Sequence, residues 1–157
     1  MTLTPYERTC GYFRGPTVSD DVPGDVLALA QADRVHLVLA DRVSIPSLKT
    51  ELRTSAILEA LRARELRDVV ERLREHGIQP VLMKGAALAY THYRRPELRP
   101  RTDVDLMIPD GARERVARCL TTIGYRRPPE IDGDVAIGQC HFVKEDEHGC
   151  QHALDVH

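Results

Sequence analysis

From Ser47 to His76 the apolar residues return at three- and four-residue steps: Leu48, Leu52, Ser55/Ala56, Leu58, Leu61, Leu66, Val69/Val70 and Leu73. That period predicts one long amphipathic helix. Pro46 suits its first turn, Ser44 its cap, and Gly77 the residue just past its end. Glu51, Glu59, Arg62, Glu65, Asp68, Arg72 and Arg74 fill much of the polar face. A helix with one apolar stripe must bury that stripe against a second layer. The residues that follow supply it, because the pattern then switches to short β-type runs.

Ile78 to Met83 reads as a strand, and Gly85-Ala86-Ala87-Leu88-Ala89 as a small, helix-prone segment. Pro96 and Pro100 exclude a regular helix over 94–102. Val104 to Ile108 is a second strand, and Asp110 to Ile123 an amphipathic helix stopped by Gly124. Ala136 to Lys144 and Gln151 to His157 flank a polar turn and read as a β-hairpin. Upstream, Asp25 to Val43 reads as a helix with a possible kink near Asp33. The Pro- and Gly-containing residues 1–24 read as an irregular lead-in. The order α-α-β-α-β-α-β-β predicts an α+β domain, a small mixed sheet packed against helices. The expected division is 1–46, lead-in and helix, and 47–157, the domain that carries the chemistry.

Composition narrows the function classes. The 157 residues, 42% apolar and with formal charge −2, suit a globular chain rather than a generally basic nucleic-acid binder, so no DNA partner is expected. No apolar run reaches the ~20 residues of a membrane span, and no secretion signal opens the chain, so a cytoplasmic protein without a membrane partner is expected. The four cysteines form no CxxC pair. Cys140, His141, His148, Cys150 and His152 cluster in sequence, but their spacing matches no zinc-finger pattern and they read as ordinary sheet and turn residues. Only three of the 22 cationic residues are lysines: Lys49, Lys84 and Lys144.

Asp103-Val104-Asp105-Leu106-Met107-Ile108 is the sharpest chemical signal. Carboxylates two apart in a strand project from one face, about 6.5–7 Å apart. Two carboxylates aimed at one point call for a cation, and Mg²⁺ takes one or two carboxylates together with substrate phosphates. Asp155, in Leu154-Asp155-Val156, would join them if its strand lies beside theirs, and three acids could then converge on one or two metals. Lys84-Gly85-Ala86 follows a strand and opens a helix, a place where backbone N–H groups and a lysine charge can meet phosphate. Residues 84–101 carry five positive charges and one negative, and the guanidinium forks of Arg99 and Arg101 suit triphosphate oxygens.

Val81-Leu82-Met83-Lys84-Gly85-Ala86-Ala87-Leu88-Ala89, Tyr93, Leu98-Arg99-Pro100, Asp103-Val104-Asp105-Leu106 and Leu154-Asp155-Val156-His157 occur in that order. The set resembles the uncharacterised nucleotidyltransferase family of the DNA polymerase β-like nucleotidyltransferase superfamily, over about residues 50–157. The resemblance implies transfer of an NMP from an NTP to a hydroxyl acceptor on a small molecule, protein or RNA. It implies two Mg²⁺ ions held by Asp103, Asp105 and Asp155, with Asp155 helping to activate the acceptor. It implies a triphosphate bound by Lys84, Gly85, Ala86, Arg99 and Arg101. The alternative is a non-catalytic nucleotide-binding or partner-binding regulatory module of the same fold. Ala86 stands where the wider superfamily has Ser. The chain stops inside a strand pattern, which implies a member truncated at its C-terminus.

Overall fold

The computed structural model describes residues 3–14, 22–128 and 139–157. In chain order the elements are α1 (Pro5–Arg14), α2 (Gly24–Ala32), α3 (His36–Arg42), α4 (Lys49–Glu75), β1 (Val81–Met83), α5 (Lys84–Thr91), β2 (Val104–Met107), α6 (Arg113–Thr122), β3 (Cys140–Glu145) and β4 (Gln151–Val156). Short 3₁₀ turns cover Pro46–Leu48 and Pro96–Leu98. The described residues thus form six helices and a four-stranded mixed sheet, an α+β fold.

The chain divides into two compact units. One comprises Met1–Ile57 and Tyr93–Pro100, the other Leu58–His92 and Arg101–His157. In the first, Val26, Ala30, Leu39, Val43, Ile45 and Leu48 form the core. Residues 1–24 are less irregular than their Pro and Gly content suggests, since α1 occupies Pro5–Arg14. Thr4 caps its start: the Thr4 hydroxyl accepts from the Glu7 N–H, and the Glu7 carboxylate accepts from the Thr4 N–H. Positions 1–2 and 15–21 of that lead-in lie outside the described residues.

The helix expected over Asp25–Val43 is two helices. Arg34 takes φ +56°, and the Val35 N–H closes back on the Ala30 carbonyl at 2.8 Å. This turn ends α2 and re-aims the chain into α3. In the same unit Arg95 pairs with Asp41 at 2.6 Å, and the Ser55 hydroxyl donates to the Glu97 carbonyl.

The second unit holds the sheet, in the order β1-β2-β4-β3. β1 and β2 are antiparallel, β2 and β4 parallel, and β4 and β3 antiparallel. One register row crosses the sheet as Leu82, Leu106, Val156 and Cys140, and the next as Met83, Asp105, Asp155 and His141. Successive residues of a strand face opposite sides, so the sheet has an apolar face and a polar one. Leu106, Val156, Leu154, Val104 and Phe142 pack with Leu66, Val69 and Leu73 of α4 and Val116 and Leu120 of α6 in one core. Full burial of side chains of this kind contributes about 1.5–3 kcal/mol each.

α4 ends as its sequence predicts. Gly77 sits at φ +70°, its N–H bonds the Arg74 carbonyl, and the Ile78 N–H bonds the Leu73 carbonyl. This is a Schellman turn, and it buries Ile78 in the core at the approach to β1. Its polar face is less uniform than the pattern suggests. Glu59 and Glu65 are buried, because each meets a cation from another element: Glu59 meets Arg101, and Glu65 meets Lys144 of β3. The hairpin of β3 and β4 forms, with its first strand beginning at Cys140; the expected start at Ala136 lies outside the described residues.

Candidate active site

The polar face of the sheet is built by alternation. Val104, Leu106, Leu154 and Val156 are drawn into the core, which turns Asp105 and Asp155 to the other side. Parallel pairing of β2 with β4 makes these two acids direct register partners. The ladder continues beyond them: the His157 N–H donates to the Leu106 carbonyl at 2.8 Å and the Ile108 N–H to the His157 carbonyl at 3.0 Å. This fixes the backbone around Asp105 and brings His157 beside it. Asp103 lies two residues ahead of Asp105, just before β2, and is half-buried.

Asp105 is 6% exposed. Its Oδ1 accepts from Lys84 Nζ at 2.6 Å and lies 3.0 Å from His157 Nε2, while Lys84 Nζ and His157 Nε2 are 3.4 Å apart. Burial pushes the Asp105 carboxyl up, but hydrogen bonds and charge from Lys84 and His157 outweigh it and hold the group below the usual carboxylate range. The Lys84 ammonium is shifted the opposite way. Its hydrogen bond to Asp105 and the charges of Asp105, Asp155 and Asp103 raise its pKa. All three expected acids therefore act electrostatically on one lysine. Asp155 has its own partner, since its Oδ1 lies 2.6 Å from His141 Nδ1 on β3.

Lys84 is the first residue of α5 and has φ +47°. A positive φ on a residue with a Cβ is uncommon and marks local strain, a recurrent feature of functional sites. The turn aims the lysine at Asp105 as α5 begins. No side chain caps the helix start, so the first-turn N–H groups and the positive end of the helix dipole remain at the Gly85 turn. Ala86 is 1% exposed and belongs to the core. A hydroxyl at that position would be buried among apolar neighbours, which is a physical reason for Ala.

The two arginines have different surroundings. Arg101 is buried: its Nη2 donates to Glu59 Oε1 at 2.8 Å and to the Tyr90 hydroxyl at 3.2 Å, and its guanidinium lies over the Tyr90 ring. Tyr90 also donates to Glu59 Oε1 at 2.7 Å. Burial and the Glu59 carboxylate push the Tyr90 phenol up to about 12. Arg101 was expected to face a triphosphate, and its guanidinium is instead engaged inside the second unit. It ties together α4, α5 and the segment entering β2. Arg99 lies in the first unit, where it donates to the Tyr93 hydroxyl at 3.1 Å and stacks over that ring.

Three site contacts escape a reading by motif. Glu59 looks like one more charge on a helix face. His141 sits in a Cys/His-rich tract. His157 gains its meaning only when parallel pairing sets it beside Asp105. The one available signal is the apolar-Asp-apolar-His spacing at the end of the chain. Elsewhere in the Cys/His tract, His152 Nε2 lies 2.9 Å from Asp146 Oδ2 at the hairpin turn.

The donor chemistry of Asp103, Asp105 and Asp155, all carboxylate oxygen, fits a hard divalent cation. As placed, no group of three His, Cys, Asp or Glu side chains among the described residues is arranged to hold a metal ion. The cation that meets Asp105 is the Lys84 ammonium.

A family model described as an uncharacterised nucleotidyltransferase matches residues 23–157. No curated protein and no solved structure matches the chain significantly. Among the described residues, no helix is long and apolar enough to cross a membrane.

Proposed function

The chain belongs to the uncharacterised nucleotidyltransferase family, and from that premise we propose that it is a Mg²⁺-dependent enzyme moving an NMP from an NTP to a hydroxyl acceptor. Membership supports nucleotidyl transfer in general; the metal, the site residues and the acceptor are our reading. The observation that carries it is the register pair Asp105–Asp155 on adjacent parallel strands, with Lys84 and the Gly85 turn beside Asp105.

In this reading the acceptor oxygen bonds to the α-phosphorus, the bond from that phosphorus to the bridging oxygen breaks, and pyrophosphate leaves with the electron pair. The chain's own residues position and neutralise. The N–H groups at the Gly85 turn bind phosphate oxygens with the helix dipole behind them, while Ala86, buried in the core, supports the turn. Lys84 adds a point charge. Asp155 takes the acceptor hydroxyl's proton on its carboxylate, held in orientation by His141. Asp103, Asp105 and Asp155 would hold the divalent ions, which when bound neutralise charge developing on the phosphoryl and leaving oxygens. Arg101 contributes indirectly: its pair with Glu59 fixes the backbone two residues before Asp103.

The experiment is transfer of label from each α-labelled NTP, with Mg²⁺ and cell extract as the acceptor source. Transfer that disappears in both Asp103→Asn and Asp105→Asn supports the proposal. Transfer indifferent to both substitutions overturns it. The second reading, a nucleotide-binding module without transfer, is favoured by one observation, the Lys84 ammonium already seated on Asp105. It predicts nucleotide binding with no labelled product.

A further inference from the structure

The cation on Asp105 belongs to the protein itself. Lys84 Nζ stands 2.6 Å from Asp105 Oδ1, and the lysine's raised pKa reflects all three candidate carboxylates. The two partners differ in surroundings: the Lys84 side chain is 59% exposed, that of Asp105 only 8%. Lys84 can therefore swing into solvent with little loss of packing, whereas Asp105 stays where β2 and the His157 contact hold it. The lysine also opens α5, at the turn where phosphate oxygens would meet free N–H groups. One side chain thus reaches both a carboxylate that would hold metal and the place where a polyphosphate would lie.

We infer that Lys84 makes divalent-cation binding at this site conditional on a polyphosphate, so that the site takes a metal–nucleotide complex in preference to the bare ion. The inference rests on the reading of the site given above. A bare dication arriving at Asp105 must break the Lys84 ion pair and then stand beside a displaced ammonium, a like charge. When a triphosphate arrives with the metal, the ammonium moves from one anion to another and the repulsion is cancelled. Metal and triphosphate then bind with positive coupling, of which Lys84 is the source.

The test compares wild type, Lys84→Met and Lys84→Arg by equilibrium dialysis against Mn²⁺. It is run with the metal alone and then with non-hydrolysable α,β-methylene analogues of the four NTPs. Methionine bears the same positive-φ strain as lysine, so the helix start is kept while the charge is removed; circular dichroism verifies the fold. Lys84→Met is expected to bind bare Mn²⁺ about ten-fold more tightly than wild type, within the 5–150-fold range usual for coupled sites. It should gain less from an added analogue than wild type does. Lys84→Arg should resemble wild type, and Asp105→Asn in the Lys84→Met background should abolish the tight bare-metal binding. Equal bare-Mn²⁺ affinity in wild type and a folded Lys84→Met overturns the role of Lys84 alone. Failure of every variant to bind Mn²⁺ with any analogue overturns the metal-site reading itself, and this inference with it.

Discussion

Asp105 on β2 and Asp155 on β4 are direct register partners across a parallel strand pair. Adjacent carboxylates of this kind repel, yet each has a close polar neighbour: the Lys84 ammonium and His157 at Asp105, His141 at Asp155. The two acids sit on the sheet face opposite the core, so no apolar packing depends on their side chains.

The charge of Asp155 should therefore be dispensable for folding. Asp155→Asn keeps the shape, removes one of two facing negative charges and keeps an oxygen for His141. Urea unfolding in the presence of a chelator should show a stability change below about 1 kcal/mol in either direction, the scale of a cross-strand pair. A loss above about 2 kcal/mol would mark Asp155 as a structural residue.

Glu59 and Arg101 behave in the opposite way. Their side chains are 6% and 4% exposed, and Tyr90 closes the triangle. Glu59→Ala should cost about 3–5 kcal/mol, the usual penalty for leaving one buried charge unpaired. The double variant Glu59→Leu with Arg101→Met should lose clearly less than the sum of the single changes. Additive losses in denaturant melts would show that the two residues are not energetically coupled.

Asp146 gives the hairpin turn an acid sensitivity. Its carboxylate accepts from His152 and from the backbone N–H groups of His148 and Cys150, which lower its pKa from 3.8 to about 2. A carboxyl depressed on folding stabilises fully above its unfolded pKa, and that contribution is lost as the pH falls through the folded one. The contribution from Asp146 should thus fall from about pH 5 downward and vanish below about pH 2. Asp146→Asn should be less stable than wild type at pH 6, and most of the difference should be gone at pH 2. A difference that stays constant across that range would contradict the account.

Gly77 ends α4 at φ +70° with nothing within 4 Å of a Cβ built there. A methyl group fits the space, so the cost of Gly77→Ala is conformational, about 1 kcal/mol. A thermal melt unchanged by the substitution would show that the backbone relaxes out of the left-handed region.

How much of this was legible in the sequence depends on the range of the interaction. The long helix, its glycine stop, both Asp strands and the hairpin follow from periodicity and turn chemistry, which act over a few residues. The break between α2 and α3 is half legible: the kink near Asp33 is there, but a positive φ at Arg34 has no sequence signature. α1 was hidden because a lead-in with Pro5 and Gly11 looks irregular, although Pro5 occupies the helix's first position. The site divides in the same way. The Asp103–Asp105 spacing is local. The approach of Asp155, His157 and His141 is a product of strand order, and no window of sequence contains it. Glu59 and Glu65 read only as polar positions of the helix, because partners 42 and 79 residues away decide their burial. Lysines are scarce here, and two of the three, Lys84 and Lys144, hold buried acids.

The most direct measurement separates nucleotidyl from phosphoryl transfer. Wild type and Asp105→Asn are incubated with Mg²⁺, cell extract and the same NTP carrying label at the α- or the γ-phosphate. The account predicts that α-label enters an acceptor while γ-label leaves as pyrophosphate, and that Asp105→Asn lowers the rate at least about 100-fold. Entry of γ-label into the acceptor, or an undiminished rate in Asp105→Asn, would contradict it.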